Sequence, residues 1–266
     1  MGAQAARRAL DYAGLTPADI DAVIVGTSTP DQAFPATAVR IQAELGMQQG
    51  FGFDLAAACS GFIFALSTAD AFIRSGQARN VLVIGSEVYS RIVDWSDRGT
   101  CVLFGDGAGA VVLSGTDEPG EAGLLSTHLH SDGTAGDLLY VDGAVGRREM
   151  SGHLKMSGRD VFRHAVAKLS SSVDEALKAE GLEYGDVSWL VPHQANIRII
   201  EGVAKKLNLP PERVVITVDR HANTSAASIP LALDEAVRDG RIQKGDLVLM
   251  EALGGGLTWG SALARF

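Results

Sequence analysis

The chain has 266 residues, 46% of them apolar and 21% charged, with a formal net charge of −9. That is the composition of a globular protein with length for one large domain or two half-sized ones. The acidic balance excludes a general nucleic-acid binder, no apolar run is long enough to span a bilayer, and no charged-then-apolar signal pattern opens the chain. Two cysteines, neither in a C-x-x-C nor near clustered histidines, exclude a disulfide framework and a metal site of ordinary ligand spacing, and point to the reducing cytoplasm.

In chain order, "GAQAARRALDYAG" (2–14) reads as a helix and "IDAVIVGTS" (20–28) as a buried strand. "SGFIFALSTADAFIRSG" (60–76) has helical spacing closed by Gly76, and "NVLVIGSE" (80–87) is a second buried strand. "TCVLFGDGAGAVVLSG" (100–115) reads as two strands joined by a glycine turn, and "GLLSTHLH" (123–130) as another strand. A long helix (159–181) follows, then a strand (187–193), a helix (197–208), a strand "RVVITVD" (213–219), a helix (225–240), a strand (246–254) and a closing glycine turn with a last strand. Apolar runs alternating with helices predict an α/β protein with largely buried strands.

The two halves, 1–120 and 121–266, read as copies of one α/β unit whose corresponding loops converge. Thr224 of "ANTSAA" falls near the place that Cys59 takes in "AACSGF". The second-half helix 159–181 follows a strand, whereas its counterpart 2–14 has none before it. The repeat therefore predicts a missing first strand, as in a fragment or a chain started at an internal Met.

Cys59 falls at the first turn of helix 60–76, where unpaired N–H groups and the positive dipole end are expected to lower its thiol pKa. A buried packing cysteine is the bland alternative, and Cys101, among Val102, Leu103 and Phe104, fits it better. His193 and Asn223 sit at the C-terminal ends of predicted strands, where α/β proteins place functional groups. Either could equally be a helix-capping or loop residue, and His221 competes with His193 as a candidate catalytic histidine. "GDGAGA" (105–110) satisfies the dinucleotide fingerprint in form, but a strand follows it where a helix is required, which excludes that site. "GGG" (254–256) suits backbone that approaches a site closely and aims an N–H into it. Basic residues gather in the second half: Arg147, Arg148, Lys155, Arg159, Arg163, Arg198, Lys205 and Lys206. They read as a solvated face or as a dock for an acidic partner.

Together "AACSGF", "DRGTCVLFGDGAGA", "STHLHSDG", "VPHQANIRI", "RHANTSAASIPLALDEA" and "EALGGGLTWGSALARF" resemble the β-ketoacyl-acyl-carrier-protein synthase III family. The resemblance runs the length of the chain in the right order. It implies a thiolase-like fold, two duplicated α/β halves in an αβαβα arrangement, normally as a homodimer. It implies decarboxylating condensation of an acyl-coenzyme A starter, acetyl or another short acyl, with malonyl-acyl carrier protein to initiate fatty acid synthesis, with no permanently bound cofactor. On this resemblance Cys59 is the acyl-accepting nucleophile, His193 and Asn223 complete the catalytic set, and the amides of Cys59 and Gly255 form the oxyanion hole. Gln194, Ala195, Asn196, Ile197 and Arg198 then contact the carrier protein. Arg98 and Arg159 are lesser contacts, Phe104, Phe162 and Leu253 wall the acyl pocket, and Phe34 reaches the partner subunit's pocket. The family has a further N-terminal strand and an aromatic-plus-arginine segment for the coenzyme A nucleotide. Neither has a match here, which predicts that the 266-residue form aggregates or turns over slowly. Three alternatives stand beside this one: a type III polyketide synthase, a Cys-His-Asn hydrolase, and a carrier-binding subunit without activity. The hydrolase lacks support, because "AACSGF" is not the C-G-[SA]-C-[WY] signature.

Overall fold

The computed structural model describes residues 1–117, 120, 122–144, 146 and 152–266. Helix α1 (Gly2–Ala13) leads into strand β1 (Ala22–Gly26), then α2 (Thr37–Leu45), β2 (Phe51–Leu55), α3 (Gly61–Arg74), β3 (Asn80–Val88) and β4 (Asp106–Ser114). The second half runs β5 (Gly123–Ser131), the short strands β6 (Leu139–Val141) and β7 (Leu154–Met156), then α4 (Gly158–Ala179), β8 (Trp189–Pro192), α5 (Ile197–Lys206), α6 (Val218–His221), α7 (Ser228–Arg238), β9 (Leu247–Gly254) and β10 (Thr258–Arg265). The strands form two four-stranded sheets, ordered β2-β1-β3-β4 and β5-β10-β9-β8, so the chain passes from one to the other between Ser114 and Gly123.

Strand periodicity builds the layers. Along β1 and β3, Ile24, Val81 and Val83 face a central core with α3 and α7, while Val23, Val25, Leu82 and Ile84 face α1 and α2. Along β9, Val248, Met250 and Ala252 face the same central core, and Leu247, Leu249 and Leu253 face α4 and α5. Side chains alternating across a pleated strand thus bury both faces of each sheet. The result is five layers, αβαβα, with α3 and α7 in the middle. In the second sheet β5 covers the outer edge of β10; the outer edge of β4 carries no strand among the described residues.

Two expectations from the sequence are corrected. Residues 100–115 are not a hairpin: Thr100–Leu103 form turns, Phe104 bridges to Asn223, and Gly107 and Gly109 lie inside β4. A Cβ at Gly109 would stand 2.8 Å from Pro230 and Leu231, and one at Gly107 would stand 2.8 Å from Leu231, so these glycines let α7 lie directly on the strand. Cys101 is therefore half-buried in a turn rather than packed in a strand. Residues 213–219 are not a strand either. Val214 makes a single bridge to Leu190, after which the Gln194 carboxamide oxygen accepts the Thr217 and Val218 amides at 2.7 and 3.0 Å. A side chain that takes two successive amides ends ladder formation and starts α6.

Candidate active site

The loop after β2 turns into α3 through a short 3-10 turn, Ala58–Ser60, that sets Cys59 at the helix start. Ala58 holds a left-handed φ of 46°. The Ser60 hydroxyl bonds Ala57 O at 2.7 Å and Thr258 Oγ1 at 2.9 Å, which ties this turn to the second half. A Cβ on Gly254 would stand 2.5 Å from the Cys59 nitrogen, so only glycine allows the end of β9 to seat against the nucleophile's backbone.

His193 follows β8. Its amide donates to Glu251 O at 2.8 Å, and its Nδ1 lies 2.5 Å from the Ser228 hydroxyl at the start of α7. Ser228 Oγ also accepts the Gln194 amide and donates to Ser225 O at 2.9 Å. The hydroxyl has one proton, for which Ser225 O and Nδ1 are alternative acceptors; with that proton on Nδ1, the imidazole carries its own on Nε2. Burial pushes the His193 pKa down to about 3, so the ring is neutral. Asn223 is held by Asn223 N→Leu103 O at 2.9 Å and by Ser225 N, which donates to Asn223 Oδ1 at 2.9 Å. With the amide oxygen engaged, Nδ2 is the group that Asn223 can offer a ligand.

Cys59, His193 and Asn223 line one cavity of about 440 Å³. Phe104, Leu253, Phe162 and Arg159 line it too, as do Ala195, Asn196 and Arg198. Buried Phe104 and Leu253 are deep in it, and the exposed Phe162, Arg159 and Arg198 stand at its mouth. Phe34, Arg98, Gly255, Gln194, Ile197 and His221 are not in the lining. Phe34 is 84% exposed. Gly255 follows Gly254 in the loop packed on Cys59, and Ile197 is exposed at the start of α5. Arg147 and Arg148 lie outside the described residues.

Gln194 corrects the expectation of a surface contact. It is fully buried, its Nε2 donates to Pro192 O and Val215 O, and its oxygen takes the two amides named above. It braces the loop that presents its neighbours. The thiol is the second correction: Cys59 is 3% exposed, and burial pushes its pKa up to about 12 against a lowering hydrogen bond from Ser225, with the nearby Glu87 charge raising it further. Desolvation outweighs the helix terminus at this depth. The sequence reasoning missed Glu87, Ser225 and Ser228. The signal available for Glu87 was a lone acid ending the apolar run "NVLVIGSE".

Residues 53–133 match the family model for 3-oxoacyl-[acyl-carrier-protein] synthase III, and residues 177–266 match the model for its C-terminal part. The β-ketoacyl-acyl-carrier-protein synthase III of Acidiphilium cryptum is 68% identical over 267 residues, covering 100% of this chain and 83% of that relative. The chain belongs to the β-ketoacyl-acyl-carrier-protein synthase III family. It shares the family's thiolase-like fold and is an acyltransferase of the condensing class. A crystal structure of the synthase III of Aquifex aeolicus superposes with a TM-score of 0.95 at 47% identity, covering 100% of this chain and 83% of that one. The priming β-ketosynthase of the R1128 polyketide pathway superposes with a TM-score of 0.92 at 41% identity, covering 100% and 80%.

Proposed function

We propose that this synthase III condenses an acyl-coenzyme A starter, acetyl or another short acyl, with malonyl-acyl carrier protein to give 3-oxoacyl-acyl carrier protein, the opening step of fatty acid synthesis in the cytoplasm. The observation that carries it is the convergence of Cys59, His193 and Asn223 on one apolar cavity with Arg159 and Arg198 at its mouth. The Cys59 sulfur attacks the starter thioester, coenzyme A leaves, and the acyl group stays on the enzyme. The amides of Cys59, at the start of α3, and of Gly255, beside the glycine packed on it, stabilise the tetrahedral oxyanion. The malonyl thioester then loses carbon dioxide, and the charge that develops on its thioester oxygen is met by His193 Nε2–H and Asn223 Nδ2–H. A neutral imidazole suits this task, since it donates a hydrogen bond without adding a charge to a largely apolar cavity. The carbanion attacks the acyl carbon and expels Cys59.

Ala195, Asn196, Ile197 and Arg198, presented by the Gln194-braced loop, dock the carrier protein, and Arg159 and Arg98 assist with its phosphopantetheine or with coenzyme A. The exposed large side chains Phe34, Trp95 and Val102 support a homodimer in which Phe34 reaches the partner's acyl pocket.

The likeness to a polyketide-priming ketosynthase favours one neighbouring reading, in which the same chemistry primes a polyketide. Incubation with a panel of acyl-coenzyme A starters, followed by mass spectrometry beside a Cys59→Ala control, tests both. Stable acylation of Cys59, discharged by malonyl-carrier protein into a carbon–carbon product, is expected. Discharge only to free acid makes the protein a hydrolase, and iterative use of malonyl-coenzyme A makes it a type III polyketide synthase.

A further inference from the structure

The two amides of the proposed oxyanion hole belong to different halves of the chain. Cys59 N lies in the turn after β2, and Gly255 N lies in the loop between β9 and β10. Their spacing depends on what joins these two segments. Backbone packing limits how near they come: a Cβ on Gly254 would stand 2.5 Å from the Cys59 nitrogen, and one on Gly255 would stand 2.5 Å from Leu139 O. Packing of this kind resists approach but not separation.

Two hydroxyls resist separation. Ser60 is fully buried just before α3, and Thr258 is half-buried as the first residue of β10. Ser60 Oγ lies 2.7 Å from Ala57 O and 2.9 Å from Thr258 Oγ1. Thr258 Oγ1 lies 3.0 Å from Ala57 O and 3.2 Å from Gly255 O. Each hydroxyl has one proton to give. Both carbonyls receive their own hydroxyl proton when Ser60 donates to Ala57 O and Thr258 donates to Gly255 O. The two oxygens sit 2.9 Å apart, so a movement of either segment strains the pair.

The carbonyls held in this way are the neighbours of the two amides. The peptide carrying Ala57 O shares the Ala58 Cα with the peptide carrying Cys59 N, and Ala58 is fixed at a φ of 46°. The peptide carrying Gly255 O shares the Gly255 Cα with the peptide carrying Gly255 N. Holding each carbonyl therefore leaves one residue's dihedral angles to aim each N–H. The Thr258 methyl packs against the same loop, since a Cβ on Gly256 would stand 3.1 Å from it.

We propose that Thr258 is a positioning residue which, paired with Ser60, sets the spacing and aim of the Cys59 and Gly255 amides. This rests on the reading of those amides as the oxyanion hole. Thr258→Val keeps the shape and removes the hydroxyl, whereas Thr258→Ser keeps the hydroxyl and removes the methyl.

Two small probes of Cys59 separate the aim of the amides from access to the sulfur. With p-nitrophenyl acetate the sulfur forms a C–S bond at the carbonyl carbon, and the carbonyl electron pair moves onto oxygen. p-Nitrophenolate leaves as that pair returns. Iodoacetamide loses iodide from a saturated carbon, and no oxyanion forms. Both reactions, and acetylation by acetyl-coenzyme A, are followed on the 266-residue chain by peptide mass spectrometry, which separates Cys59 from Cys101.

Thr258→Val is expected to lose about tenfold in acetylation by either acyl donor, less than the 10²–10³ of removing a donor outright. For acetyl-coenzyme A the loss falls on the saturating rate and not on the half-saturating concentration. Thr258→Ser is expected to stay within about twofold of the unaltered chain, and alkylation within about twofold in both variants. Unchanged acetylation in Thr258→Val overturns the proposal. So does an equal loss of alkylation, which would mean a generally disturbed turn, or a Thr258→Ser variant as slow as Thr258→Val. If Thr258→Val does not fold, Ser60→Ala decides: it leaves two carbonyls competing for one proton, and unchanged acetylation there overturns the proposal too. Labelling of Cys59 by p-nitrophenyl acetate but not by acetyl-coenzyme A would count against the proposed condensation and leave this proposal standing. Labelling by neither overturns it.

Discussion

Ala58 and Ser225 share one backbone conformation, φ 46° and 52°, each as the residue that opens a 3-10 turn leading into a central helix. The two turns face each other across the middle layer, where a Cβ on Gly61 would stand 3.2 Å from Ala226 Cβ. The internal repeat is thus visible at atomic scale, and it aligns Cys59 with Ala226, two residues beyond the Thr224 expected from the sequence. One copy of the turn carries the sulfur and the other carries the hydroxyl beneath it.

A left-handed φ on a non-glycine residue costs roughly 1 kcal/mol and is harsher for a β-branched side chain. Ala58→Val is therefore expected to lower stability by about 2 kcal/mol and to reduce acylation. Ala58→Gly is expected to stay within about 1 kcal/mol of the original. Urea unfolding with both variants measures this, and equal stability of the Val and Gly forms would contradict the strained turn.

Gly254→Ala would place a methyl 2.5 Å from the Cys59 nitrogen. The turn must shift, and a displacement near 1 Å at a reacting atom costs on the order of 100-fold in rate. Acetyl transfer to Cys59, read by intact mass, is expected to fall by about that factor while the far-ultraviolet dichroism is retained.

His193→Ala and Asn223→Ala are expected to separate the half-reactions. Acylation of Cys59 persists, whereas release of carbon dioxide from malonyl-carrier protein drops by about 10²–10³-fold with the loss of a donor to the developing oxyanion. Ser228→Ala, which removes the partner of His193 Nδ1, is expected to give a smaller loss of the same kind. Equal damage to both half-reactions would assign these residues to folding.

Two buried groups shape stability against pH in opposite directions. Burial raises the Glu251 pKa from 4.5 to about 8, so the folded state binds the proton more tightly and stability falls as pH rises through that window. Burial lowers the His193 pKa from 6.5 to about 3, so stability falls as pH drops through that range. Each slope is about 1.4 kcal/mol per pH unit, so the two largely offset between 4.5 and 6.5, and Glu251 removes about 2 kcal/mol from there to pH 8. Glu251→Gln is expected to flatten the alkaline loss in thermal melts at pH 6 and pH 8. An unchanged difference between those pH values would show that Glu251 does not titrate there.

Arg198 stands exposed at the cavity mouth. Arg198→Glu is expected to raise the KM for malonyl-carrier protein severalfold with little change in kcat, and to weaken its salt dependence. A fall in kcat at constant KM would place Arg198 in the chemistry instead.

Where burial is uniform, the sequence determined the structure by itself. Runs such as Val81–Ile84 and Leu247–Met250 are apolar on both faces, and only a strand between two helical layers buries them, so β3, β9 and the layered α/β architecture were legible. Cys59 at a helix start and His193 at a strand end were legible as candidates, and the family resemblance joined them with Asn223 into one set. Tertiary structure alone decided what surrounds them. "RVVITVD" has strand composition, yet the Gln194 side chain from a distant loop takes its amides, and "GDGAG" looks like a turn until α7 lies across it. The thiol's proton affinity was out of reach for the same reason. It depends on depth and on Glu87 and Ser225, 28 and 166 positions away along the chain, and desolvation and charge act through space rather than through sequence.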